Sequence, residues 1–421
     1  MTSTLERGQT LETRPPARRL PTTSVRSAVA LAAVTGALTV ATYLYYGYAY
    51  AGWPGTAMLD FVLRVNGELQ TDWQTDQPAP HYFITHLLAL VPGSWLESVV
   101  LTLWILGLLV LWGGFAEMCR GLGASRLVAL GAGLVAIPTG FGGIGWSEPI
   151  FGSMYPSQTA FAFSVAALAA ALFSRSALAG LLLGFAMLAH PSAGTLAVPV
   201  VAVVLVAMVG RTWRGAARFG VPLVTLAVPA LVPIVVGQGS PSTLSARERF
   251  ELLAIVRQPH HVLYSEFGGY EYARTVLWGS LGLVAVALLW RCRRARALAA
   301  GGLIALVGLA IGGVASELER PLLLLQAQLG RLSPFVVLVG VVAGAAALAR
   351  VAGAWAAAAL FTIAVIAHPI ANGLSGSLVS VSGVAALLLL LALVAAALAS
   401  RHASRQVAGS VGWGIAALGA V

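Results

Sequence analysis

The chain has 421 residues, 58% hydrophobic and only 10% charged, with a mean hydropathy of +0.87. A soluble domain carries about 25% charged residues, so the composition excludes an ordinary soluble fold and points to an all-α, polytopic integral membrane protein. The formal net charge of +10 comes from arginine alone, since the 25 basic residues include no lysine; it reads as membrane topology, not as a nucleic-acid signal.

Residues 1–24 hold Arg7, Arg14, Arg18, Arg19 and three prolines. They read as a disordered cytoplasmic tail. Residues 25–421 then read as a single transmembrane domain of about 12–13 helices. The first helix covers roughly 26–48 and ends in a tyrosine-rich belt. An outer loop near 49–95 follows. The second helix (roughly 96–116) returns to Arg120 and Arg126, and the third (127–139) goes out to a Gly- and Pro-rich outer segment near 139–158. The fourth returns to Arg175. The fifth goes out to His190-Pro191, and the sixth returns to the GRTWRGAAR stretch. The seventh (219–237) leads to an outer loop near 238–272. The eighth ends at Arg291-Cys292-Arg293-Arg294-Ala295-Arg296, the strongest inside signal in the chain. The ninth goes out to a loop near 316–333, and the tenth returns to Arg350. The eleventh ends at His368-Pro369, the twelfth returns to Arg401 and Arg405, and a thirteenth extends toward Val421.

This topology places Cys119 and Cys292 among arginines on the inner face, where a disulfide is disfavoured. The abundance of glycine and alanine suits closely packed membrane helices. Orientation is set here by arginine and hydropathy alone. Twelve of the fifteen acidic residues and six of the seven histidines then fall on the outer side. Longer, solvated outer loops account for that bias, and so does polar chemistry concentrated on the extracytoplasmic face.

The first outer loop carries Asp60, Arg64 and Glu68 among Leu59, Val62, Leu63 and Val65. This pattern suits an amphipathic helix on the membrane surface. Arg64 is four residues from both acids, so ordinary i,i+4 pairing explains it and Glu68. Asp60, at the start of that helix, is placed to face the mouth of a bundle. Thr71-Asp72-Trp73 follows, then Asp76, Pro78, Pro80 and His81. His81 and His86 are five apart, a poor spacing for one metal on one helix face.

This layout resembles the first outer loop of GT-C glycosyltransferases that use lipid carriers, such as the lipid A aminoarabinose transferases and protein O-mannosyltransferases. Asp60 matches the first acidic residue, Asp72-Trp73 the Asp-Trp turn, and PAPHYFITHLLAL the second surface helix. Departures are Phe61 in place of a second acid, Thr71 in place of glycine, and His81 where a basic residue is usual. The resemblance spans roughly residues 26–115 in detail. It implies a membrane glycosyltransferase that moves a sugar from a polyprenyl-phosphate carrier to an acceptor glycan, lipid or protein. Asp60, or else Asp72, would be the base for the acceptor hydroxyl, and Trp73, Asp76 and His81 would bind substrate. The carboxylates leave room for a divalent cation, Mg or Mn, though no tight metal motif is present.

The departing lipid phosphate calls for cations, and the planar fork of arginine suits phosphate. The second outer loop offers Arg257, His260 and His261, presented by Pro259, with Tyr264 and Tyr270 nearby. Its Arg247–Glu251 stretch also reads as a solvated helix with internal ion pairs. In the third outer loop, Arg320 and Arg331 are candidate phosphate clamps, with surface ion pairing as the alternative. His190 and His368 either stop their helices, as histidine beside proline does at a helix C-terminus, or line the outer cavity. The GFGGIG run at 140–145 follows no strand, so a dinucleotide site is not expected. Two other function classes fit the same sequence: a transporter or flippase of a lipid-linked or polar substrate, and a non-catalytic membrane assembly partner. A proton-coupled pump would carry ionisable groups near the bilayer midplane, whereas the charges here sit at the rims.

Overall fold

The computed structural model describes residues 25–46, 87–88, 90–146, 156–237, 245–251, 262–318, 327–354, 357, 389 and 391–393. The N-terminal tail, the first outer loop through residue 86 and the helix that ends at His368 lie outside the described residues.

Among the described residues the long elements are all α-helices. They are α1 Val25–Tyr46, α2 Gly93–Gly121, α3 Arg126–Thr139, α4 Pro156–Leu172, α5 Ser176–Ala189, α6 Pro191–Val209 and α7 Trp213–Gly237. A short α8, Ala246–Phe250, precedes α9 Gly269–Leu288, α10 Arg293–Glu317 and α11 Ser333–Ala352. Two 3-10 turns, Tyr264–Glu266 and Leu329–Leu332, lead into α9 and α11. Each helix expected between residues 26 and 350 is present, although α2 is longer at both ends and α7 begins at Trp213 instead of near 219. Six of the described helices are long and apolar enough to cross a membrane. The chain is an all-α polytopic membrane protein.

Lipid supplies no hydrophobic force between helices, so close packing through small residues must hold them together. Three of the close helix pairs are parallel and skip one helix along the chain. Gly114 of α2 meets the backbone of Val165 and Ala166 in α4. Gly180 and Gly184 of α5 meet Phe219 and Leu226 of α7, and Gly340 and Gly344 of α11 meet Trp278 and Leu281 of α9. In both of the latter pairs the glycines are four apart and form one small-residue groove that admits the partner's backbone. Helix α11 is the central post, with 83% of its apolar window buried, while α7 is peripheral at 11%.

Most of the described arginines gather at one end of this bundle, and two of them act on helix C-termini. Arg294 donates from Nε to the Leu172 carbonyl (3.3 Å) and from Nη1 to the Gly121 carbonyl (3.2 Å). Arg293 donates through Nη2 to the Ala207 carbonyl at 3.0 Å. These carbonyls end α4, α2 and α6 and have no partner within their own helices. Glu117 bridges Arg120 (2.6 Å) and Arg126 (2.9 Å), joining the end of α2 to the start of α3. The guanidiniums of Arg120 and Arg294 also sit 4.5 and 4.6 Å from the Phe173 ring centroid. Cys119 and Cys292 are free thiols at this end.

Candidate functional site

Three of the helices that reach the far end of the bundle, opposite these arginines, are short. Helices α3, α4 and α5 have 14, 17 and 14 residues. At 1.5 Å per residue they span about 21–26 Å, short of a hydrocarbon core of about 30 Å. Arg126, Arg294 and the tight Arg175 turn tie them to the arginine-rich end. Taken alone, each is shorter than a full membrane span. Irregular backbone is tolerated at that depth only where protein or a polar cavity satisfies it.

The GFGGIGW run after α3 packs among the helices at this end. Phe141 is completely buried and stacks among Trp112, Phe115 and Phe161. Gly143 and Trp146 exchange two backbone hydrogen bonds of 2.9 and 3.0 Å. The Ile144 N–H donates to Thr275 Oγ1 at 3.2 Å. Gly145 has φ +75°, and an added Cβ there would lie 2.5 Å from the Gly330 Cα. Only glycine suits that conformation and that approach. Gly143 and Gly145 thus serve close contact with neighbouring segments.

Gly330 carries Arg331 beside it. The turn enters from Gln328 at φ +52°, and Arg331 N donates to the Gln328 carbonyl at 2.9 Å. This directs Arg331 over Trp146, with its guanidinium carbon 5.8 Å from the ring centroid, within cation–π range. Nη1 of Arg331 lies 3.0 Å from Nε2 of His190, 141 residues away in sequence.

His190 is the single extended residue between α5 and α6, at φ −151° and ψ 101°. Its ring turns forward onto the next helix: Nδ1 accepts the Ala193 N–H at 3.2 Å, an N-cap interaction, with Ser192 Oγ at 3.1 Å. The dipole role expected at a helix C-terminus is therefore replaced by capping of the following N-terminus. The ring is buried, with 6% exposure.

Across the loop from this pair, Glu271, Arg274 and Thr275 are buried on the first turns of α9. Glu271 Oε2 and the hydroxyl of the fully buried Ser333 have no hydrogen-bond partner among the described residues. A crevice between α2 and α4, lined by Trp104, Gly107, Leu108, Leu111, Gln158, Thr159 and Ala162, runs beside the first turn of α4.

Of the residues selected from sequence, His190 and Arg331 are brought into direct contact. Asp60, Asp72, Trp73, Asp76, His81, Arg257, His260, His261, Arg320 and His368 lie outside the described residues. Tyr264 is packed against Gly312 and Gly313 of α10 instead of being displayed at the membrane exit, and burial raises its phenol pKa well above the usual range. The stretch beginning at Ser245 is a solvated turn: Ser245 and Glu248 form a capping box, and Arg247 pairs with Glu251 at 2.8 Å. Trp146, Thr275, Ser333 and Gly330 escaped the sequence reading. The available signal was the glycine density of 140–145, which marks close backbone approach but does not name the partner. Comparison with protein-family models, curated proteins and solved structures finds no match.

Proposed function

We propose that the protein is a membrane glycosyltransferase that transfers a sugar from a polyprenyl-phosphate carrier to an acceptor on the extracytoplasmic face, with the N-terminus and the arginine-rich end in the cytoplasm. The observation that carries this reading is the contact of Arg331 with His190 beside Trp146 at the far end. A guanidinium fork beside an imidazole and an indole face suits a phosphate that bears a sugar on one side and an isoprenoid on the other. Asp60 is the first candidate for the base that takes the acceptor proton and Asp72 the second, with Trp73, Asp76, His81, Arg257, His260, His261, Arg320 and His368 as further substrate contacts. A divalent cation, Mg or Mn, fits beside the carboxylates.

A transporter or flippase of a lipid-linked substrate is the second reading. It draws on the interruption between α5 and α6 at His190, because broken helices commonly form transport sites. The two readings separate in one experiment. Protein in nanodiscs is given a radiolabelled polyprenyl-phosphate sugar and a membrane extract as acceptor. The enzyme reading expects label in a new product, loss of turnover in Asp60→Asn, and loss of donor binding in Arg331→Gln. Donor that crosses vesicle bilayers unchanged, with Asp60→Asn fully active, would establish the transporter instead.

A further inference from the structure

Helix α7 is the least buried of the described spans, at 11%. Arg214, Arg218, Val221, Thr225, Val228 and Val232 follow one another along it at intervals of four or three residues, so they line a single side of the helix. All of them are exposed. The opposite side, through Phe219 and Leu226, packs on Gly180 and Gly184 of α5. From Val221 to Val232 the strip rises about 16 Å at 1.5 Å per residue, close to one leaflet's share of a hydrocarbon core of about 30 Å. Trp213, 75% exposed, stands beside Arg214 at the head of the strip, where an interfacial indole belongs. The positive charge there is not offset by the fold. Arg211 adds a third exposed guanidinium, and α7 has no acidic residue in its first turn. Arg293 of α10 reaches the Ala207 carbonyl at 3.0 Å, just before this corner. Among the described residues Glu117 is the one acid at this end of the bundle, and Arg120 and Arg126 engage it.

We propose that this face of α7 docks an anionic phospholipid from the leaflet at the arginine-rich end, with its phosphate on Arg214 and Arg218 and an acyl chain along Val221, Val228 and Val232. A guanidinium fork suits a phosphodiester, and the long arginine stems lie along the apolar strip while their heads reach the interface. Basic residues beside a membrane-spanning helix attract anionic headgroups. A choline headgroup would bring its own cation into the same positive field, so the fit is to a headgroup without one, such as glycerol. A soluble polyanion would match the arginines and leave the valines unused; the strip continues directly from the cations and is as long as a leaflet is deep, which selects a lipid. Pro222, Pro229 and Pro233 deprive α7 of backbone donors, and a docked lipid supports this thinly packed helix. The site is separate from the contact of Arg331 with His190 and does not depend on the glycosyl-transfer reading.

The test places full-length protein in nanodiscs of mixed dioleoyl phosphatidylcholine and dioleoyl phosphatidylglycerol, releases it into mild detergent, and reads the retained lipid by native mass spectrometry. Wild-type protein is expected to keep phosphatidylglycerol in preference to phosphatidylcholine and to melt at a higher temperature with it. The double variant Arg214→Gln/Arg218→Gln is expected to lose that retention by about tenfold. Arg291→Gln/Arg296→Gln, which removes exposed charge from the α9–α10 corner at the same end, is expected to keep it. Equal losses in the two double variants overturn the site and leave a diffuse electrostatic attraction. Val221→Asn/Val228→Asn keeps both arginines and is expected to weaken retention several-fold; unchanged retention overturns the acyl-chain assignment. If the Arg214→Gln/Arg218→Gln protein does not fold, each single variant is read in its place and is expected to lose about half of the effect on a logarithmic scale. Soluble glycerol phosphate or a short RNA that displaces the lipid from wild-type protein at matched concentration overturns the lipid assignment. Retention of the two phospholipids in equal amounts by the wild type overturns the proposal outright.

Discussion

The two ends of the bundle use arginine in opposite ways. At one end Arg293 and Arg294 donate to main-chain carbonyls that terminate helices, and Arg120 and Arg126 share Glu117. Those guanidiniums are absorbed by the fold. At the far end, Arg331 meets the ring of His190, itself a donor in one of its tautomers. The difference teaches that the same side chain closes helix C-termini at one end and joins separate helices through a buried ring at the other.

The strongest way to break this comparison is to exchange the consequences of losing each arginine. Arg331→Gln is expected to weaken polyprenyl-phosphate binding by about 10–100-fold, the loss of a charged hydrogen bond of about 1.5–3 kcal/mol, with little change in thermal stability; nanodisc binding and melting measurements check both. Arg294→Gln is expected to leave binding per folded molecule unchanged and to lower stability by about 2 kcal/mol, through two lost carbonyl bonds. Equal effects of the two variants on binding would erase the distinction between the ends.

A second contrast uses two glycines of positive φ. Gly145 at the far end meets the Gly330 backbone, whereas Gly123 at the arginine-rich end, at φ +94°, has nothing within 4 Å of an added Cβ. Gly145→Ala combines left-handed strain of about 1–2 kcal/mol with overpacking of about 1–3 kcal/mol. Gly123→Ala carries the strain alone. The first is expected to lose about 3 kcal/mol in denaturation and the second about 1 kcal/mol.

Smaller effects sharpen the picture. His190→Ala removes an N-cap and is expected to cost about 1 kcal/mol, while His190→Asn keeps a capping acceptor and recovers most of that stability. Arg247→Gln breaks only the exposed pair with Glu251; such pairs are worth about 0.2–1 kcal/mol, so the melting point is expected to stay within error.

Much of the fold was legible in sequence because hydropathy and arginine placement are local signals. The alternation of ends is supported by contacts those signals do not contain. Arg294 reaches Gly121 and Leu172, Tyr46 donates to the Ile137 carbonyl at 2.6 Å, and Trp146 lies near Arg331, each joining segments placed on the same side by reading alone. Less of the candidate site was legible. His190 and Arg331 were singled out one at a time, for their chemistry at a rim, with no sign that they touch. The GFGGIG run was set aside as a cofactor loop, and its role in seating Gly330 depends on a segment nearly 200 residues downstream. Thr275 and Ser333 look like ordinary small polar residues at helix starts.

The sequence by itself determined an all-α membrane protein and the order of its described helices. Burial in lipid demands long apolar helices, and that demand is written residue by residue along the chain. Tertiary structure alone decided that the glycine loop after α3 meets Gly330 and that Arg331 meets His190. The reason is that pairing across helices depends on their relative depth and rotation. Those are set by glycine contacts such as Gly340 against Trp278 and Gly180 against Phe219, which no single stretch of the chain encodes.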